Sequence, residues 1–232
     1  MQTGTDLVIL SSLATIAISG TVGSYLSLLW YRQDTRLMTD LPLVFAIAFI
    51  TQAFNILILT LPNVGLVQPS MTLFRMRTIL IGGSVVPILG ALLQIWVPST
   101  ERYHNRLVLL FTLYWVSVAL LGPTEEIVMV MCIPLMLILG VMMMLTFIVT
   151  WKTGRLKEVR SDLMIVSVLL GMASQALRVP LMTTGLFYVP DVLLMLSMLV
   201  TAVAFANPWY KRDQQVRYRE SSEYPLYSTI DS

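Results

Sequence analysis

The chain has 232 residues, of which 56% are hydrophobic and only 12% charged. Soluble domains carry about a quarter charged residues, so this composition excludes a water-soluble fold. One cysteine, Cys132, and one histidine, His104, are too few for a disulfide, a bis-histidine haem, an iron–sulfur cluster or a Cys/His zinc site, and no cofactor is expected.

The first apolar segment is Leu7–Tyr31. The preceding "MQTGTD" has no Lys or Arg, and the run exceeds the core of a signal peptide, so it is expected to be the first membrane span. Ser19, Gly23 and Ser27 recur at four-residue spacing on one helical face, where small residues let a neighbouring backbone approach. The second segment, Leu41–Leu61, places Gln52 and Asn55 one turn apart as candidates for interhelical hydrogen bonds. The third, Thr78–Val97, follows Arg75 and Arg77 and carries Pro87 and Gln94.

The fourth segment, Leu107–Leu121, is the short one: 15 strictly apolar residues closed by Gly122-Pro123. His104, before it in "STERYHNRL", is expected on a solvated loop, because no nucleophile or carboxylate constellation accompanies it. The fifth, Ile127–Trp151, follows Glu125 and Glu126 and holds Pro134 and Met142-Met143-Met144. Consecutive thioethers point around a helix instead of converging on a metal, which favours core packing over copper binding. The sixth, Leu163–Met182, holds "GMAS" at 171–174, then Gln175 and Arg178 one turn apart, and Pro180. Gln175 is expected in helix packing. The seventh, Val192–Trp209, follows Asp191.

Most of these runs approach the ~20 residues that cross a bilayer core as helix, and they are continuous where a β-barrel needs short alternating strands. Charge sorting sets the topology. With seven spans and the N-terminus outside, twelve of the fifteen basic residues fall inside, leaving Arg75, Arg77 and Arg178 outside. Without the fourth span the best split is ten to five. The positive-inside rule therefore favours seven spans, N-out and C-in. The expected fold is an all-α, polytopic seven-transmembrane helix bundle over residues 1–210. A polar cytoplasmic tail, 211–232, follows and is too short to fold alone.

In this arrangement Arg75, Arg77, Arg178, Glu125, Glu126 and Asp191 share the outer rim. Two readings fit them: interfacial anchors and salt bridges, which stand first, or an outward-facing polar pocket for a small ligand. A retinal pigment is excluded, because Lys152, Lys157 and Lys211 all lie at or beyond the inner surface. A small sugar-type carrier has a proline in its first helix, which this segment lacks.

The basic first inner turn "YRQDTR", the arginine-led third span "FRMRTILIGGSVVPILGALLQIWV" and the basic connection "WKTGRLKEVR" give the chain a resemblance. It resembles the N-terminal seven-transmembrane sensory module of prokaryotic histidine kinases, over about residues 1–210. It departs from that family after Trp209, where no dimerisation helix, phosphoacceptor histidine or ATP-binding domain follows. The resemblance implies a sensor-like bundle acting through a partner, with Tyr210, Tyr218, Tyr224 and Tyr227 of the tail as candidate contacts. The expected function is a non-catalytic receptor-like or accessory subunit of the cell membrane. Its expected partners are the lipid bilayer and other membrane proteins, with a small-molecule ligand possible and no nucleic acid. The alternative is a small solute transporter, which ranks second because the charges avoid the midplane.

Overall fold

The computed structural model describes residues 2–33, 37, 39–154, 159–181, 186 and 188–207, with the backbone alone for 2–6, 100 and 178–180. The tail, with Tyr210, Tyr218, Tyr224 and Tyr227, lies outside the described residues. Among the described residues there is no strand. There are seven α-helices: α1 Gln2–Tyr31, α2 Leu41–Asn63, α3 Met71–Trp96, α4 Glu101–Leu121, α5 Glu125–Thr153, α6 Ser161–Leu181 and α7 Val189–Ala206. A 3-10 turn, Pro98–Thr100, joins α3 to α4.

Local signals delimit these helices. Ser70 and Thr124 cap α3 and α5, their hydroxyls accepting from the backbone N–H of Leu73 and Ile127. Pro42 and Pro190 sit in the first turns of α2 and α7, where a missing N–H costs nothing. Gly154 closes α5 with φ +62, a conformation only glycine adopts without penalty.

Six of the helices are long and apolar enough to cross a membrane, and α4 is among them. It starts at Glu101, six residues before the apolar run, because the charged turn Glu101–Arg106 is also helical. Over the residues whose side chains are described, Ser161–Leu177, α6 is apolar too.

Successive helices alternate in direction along the chain, and six of them close a ring in which α3 and α5, and α7 and α1, are parallel neighbours. Each of α1, α2, α3, α5, α6 and α7 touches its neighbours, and α4 packs outside the α3–α5 pair. We call the end where α1 starts the upper end. Ser11 on α1 bonds Asp191 on α7 there. The lower half has one core shared by all six ring helices: Val22 and Leu26, Phe45 and Ala46, Leu92, Met143 and Phe147, Met164, and Ala204 and Phe205. At its centre Phe45 meets Phe147 and Phe205, with ring centroids 6.3 and 5.6 Å apart.

The upper half is built differently. It has two separate cores: Ile56, Leu194 and Met198 between α1, α2 and α7, and Val85, Trp115, Val128 and Cys132 between α3, α4 and α5. Apolar side chains therefore floor the bundle but do not fill it to the top.

Close approaches and hydroxyl bonds hold neighbouring helices. Gly23 lies against Ile50 of α2, where a Cβ would sit 2.7 Å from Cγ1, and buried Ser19 donates to the Phe49 carbonyl at 2.6 Å. Ser27 is half-buried and donates to Gly23 of its own helix, so the packing stripe ends one turn earlier than its spacing suggests. Between α6 and α7, Ser167 donates to the Ser197 carbonyl, Ser197 to the Ser167 carbonyl, and Ser174 to the Pro190 carbonyl, at 2.7–2.9 Å. Small residues and hydroxyls are the packing means left where lipid removes the hydrophobic drive.

His104 departs from the solvated loop expected for it. It lies in the first turns of α4, 9% exposed, with Nε2 2.9 Å from the carbonyl of Val97, the residue capping α3. The imidazole thus satisfies a carbonyl that a helix end leaves open. Gln94 and Gln175 also differ from expectation: both are exposed, and neither bonds another helix among the described residues.

Candidate functional site

The polar side chains of the upper half fall on two different faces of the bundle. Residues seven apart on a helix share a face, since they differ by only about 20° of rotation. Gln52 shares the face of Phe45, seven residues below, which points to the bundle axis. Arg77 shares the face of Ile88, eleven residues below, which packs on the same lower core. Asp191 shares the face of Met198 and, through it, of Phe205. Axial stripes that are apolar below become polar above.

A chain of hydrogen bonds links three of these positions. Arg77 Nε donates to Asn55 Oδ1 at 3.2 Å, and Asn55 Nδ2 donates to Gln52 Oε1 at 3.4 Å. Asn55 is 4% exposed, so its amide is committed to this chain. Gln52 is only half-buried although it faces the axis, whereas Phe45 on the same stripe is 8% exposed. Gln52 stands about 10 Å above Phe45 on this stripe. Across from this chain, Asp191 Oδ2 accepts from Ser11 Oγ at 3.1 Å.

The guanidinium of Arg77 cannot shed its charge in any protein environment. Arg77, bonded to Asn55, and Asp191, bonded to Ser11, set charged groups on the axial stripes of the upper end. They offer donors and acceptors fixed by neighbours. Among the described residues, no group of three or more His, Cys, Asp or Glu side chains is placed to hold a metal ion.

The remaining rim charges stand elsewhere. Arg75 is two residues from Arg77, about 200° around the helix, and donates through Nη2 to the Gly122 carbonyl at the α4–α5 junction, 3.3 Å away. Its Nε is buried without a partner among the described residues. Glu125 and Glu126 are exposed in the first turn of α5, where acidic groups complement the helix dipole. Arg178 lies one turn beyond Ser174 on the α6 backbone, and its side chain is outside the described residues.

At the lower end the basic connection is tied by Arg160. Its guanidinium pairs with Asp162, and its N–H donates to the Ala204 carbonyl of α7 at 3.1 Å. The hydrogen bonds that the guanidinium donates to the Asp162 carboxylate push the Arg160 pKa further up, against the opposing cost of burial, and the charge of Asp162 adds to the rise.

Ser11 carried no sequence signal beyond its place on the axial stripe of α1. Gln52 and Asn55 were legible as a polar pair, though not as the support of Arg77. Comparison of the chain with family models, with curated proteins and with solved structures returned no match.

Proposed function

We propose that this is a non-catalytic, sensor-like membrane protein that binds a small polar or charged group in a polar vestibule at the upper end, lined by Gln52, Arg77 and Asp191, and acts through protein partners. Seven spans with the N-terminus outside and the C-terminus cytoplasmic fit the distribution of basic residues, and would open the vestibule to the exterior. The observation that carries the reading is the change along each axial stripe, from Phe45, Ile88 and Met198 to Gln52, Arg77 and Asp191.

A bundle open at one end and floored by aromatic rings suits ligand binding better than passage. A carrier places polar or ionisable contacts near the midplane, where they face either side in turn. Here the neutral Gln52 is the polar axial group nearest the middle of α2, and the ionisable Arg77 and Asp191 stand nearer the upper end. The tail tyrosines and the exposed helix faces are the surfaces available to partners, so output would come from association instead of chemistry.

Co-purification from native membranes in mild detergent, with the wild-type chain and Arg77→Gln compared, tests this. A stoichiometric partner whose recovery changes with the substitution supports the reading. A solitary monomer that moves solute across liposomes overturns it in favour of a carrier.

A further inference from the structure

We infer that the ligand of the vestibule is a single-chain amphiphile with an anionic head, carboxylate or phosphate, which enters sideways from the bilayer between the upper halves of α5 and α6. The inference rests on the vestibule reading and names the class of molecule it takes.

Among the described residues, the contacts seen between the two helices lie in their lower halves and at mid-height. Thr150 bonds Ser161 near the bottom, Met143, Phe147 and Met164 share the lower core, and Gly140 faces Met172, where a Cβ would lie 3.6 Å from the sulfur. Above that pair the facing stripes part. On α5 the positions in register with Gly140 are Leu137 and Ile133, exposed by 49% and 46%. On α6 the positions after Met172 are Gln175 and Ala176, both exposed. The separate upper cores agree with this, because neither joins α6 or α7 to α5.

The opening leads to the right depth. Gly140 lies seven residues above Phe147, and Gln52 lies seven above Phe45, so the base of the gap and the first polar axial group are both about 10 Å above the aromatic floor. Arg77 stands above them on α3. Apolar walls continuous with the lipid-facing surface suit an alkyl chain. Gln175 at the edge gives the head a polar waypoint.

Charge complementarity selects the head. Among the described side chains Arg77 is the cation on the axial stripes, and a guanidinium with five N–H donors can take an anion in addition to its protein partners. Asn55 holds one of those donors, on Nε, and so fixes the plane of the fork. The apolar floor then keeps the molecule in the upper half.

The test uses the full chain in phosphatidylcholine nanodiscs and equilibrium binding of four probes: hexadecanoate, hexadecanoyl lysophosphatidate, butanoate and inorganic phosphate. One long-chain anion per chain should bind saturably, and the first two probes distinguish a carboxylate from a phosphate head. Binding should weaken at least tenfold in Arg77→Gln, and equally in Ala176→Trp, whose indole fills the gap. Leu113→Trp, on the outer face of α4, should change nothing. If Ala176→Trp does not fold, Leu137→Trp closes the gap from the facing wall. Butanoate or phosphate binding as tightly as the long-chain probes would overturn lateral entry and leave the vestibule standing. Long-chain binding indifferent to Arg77→Gln would overturn the head-group assignment. No saturable binding of any probe would overturn the amphiphile and the vestibule together.

Discussion

The docking of α4 on α3 depends on Gly82, and its replacement by alanine gives a measurable test. A Cβ there would lie 2.5 Å from Cδ1 and Nε1 of Trp115, against an ordinary contact of about 3.5–4.0 Å. The indole would have to move by about 1 Å. It has little room, being 1% exposed, with Phe111 stacked at 6.0 Å and Val85 and Val128 in the same cluster. Moving it also weakens the bond from Nε1 to the Thr78 carbonyl, now 2.8 Å. Overpacking costs about 1–3 kcal/mol and the lost interhelical bond about 0.6, while the gain in helix propensity returns up to about 1. The expected net loss is about 1–3 kcal/mol. Gly20→Ala is the matched control, since no heavy atom lies within 4 Å of a Cβ there, and it should be neutral or slightly stabilising. Reversible unfolding in bicelles with increasing dodecyl sulfate, followed by circular dichroism, compares the two. In a Trp115→Phe background the cost of Gly82→Ala should fall by about half or more, because the smaller ring yields. Equal stability of Gly82→Ala and Gly20→Ala would refute the close approach and the seat of α4 with it.

Other expectations follow from single contacts. Arg75→Gln should lower stability by about 1 kcal/mol through the lost bond to Gly122 and leave ligand binding unchanged. Arg77→Gln should do the reverse, weakening binding with a smaller effect on unfolding; a parallel loss of both in either variant would merge the two roles. Ser167→Ala removes a hydroxyl that bonds Ser197, and should cost about 1–2 kcal/mol in the same unfolding assay. His104→Leu leaves the Val97 carbonyl without the imidazole that meets it, and a loss of about 1–3 kcal/mol is expected. Wild-type stability in His104→Leu would return that residue to the solvated role its sequence suggested.

Much of the architecture was legible because the physics that builds it is one-dimensional. Each span needs a continuous apolar run, and hydropathy along the chain finds such runs whatever the packing. It failed where a helix continues into charged residues. The turn Glu101–Arg106 is helical because His104 tucks under the end of α3, and no hydropathy window registers a three-dimensional cap. Gly82 gave no signal either, since its importance is a ring of another helix lying on its Cα.

The site was legible in part. That Arg75 and Arg77 cannot line one pocket follows from their spacing alone, because two residues turn a helix by about 200°. Grouping them by rim position ignored that rotation. Gln52 and Asn55, one turn apart, stood out as a pair, but which neighbour they hold is decided by how α2 and α3 are staggered. Ser11 and Asp191 are 180 positions apart and meet only because the ring closes between α1 and α7. The divergence of α5 from α6 is equally invisible, as both upper halves are simply apolar in sequence.

The vestibule itself is tested most directly by thiol accessibility in a Cys132→Ala background. Single cysteines at Gln52 and at Phe45 share one stripe of α2, about 10 Å apart. The account predicts that Gln52→Cys reacts with a membrane-impermeant maleimide applied to the side bearing the N-terminus, and only from that side. Phe45→Cys should stay unreactive from both. An unreactive Gln52→Cys, or one labelled equally from either face, would contradict a polar chamber closed below by aromatic rings.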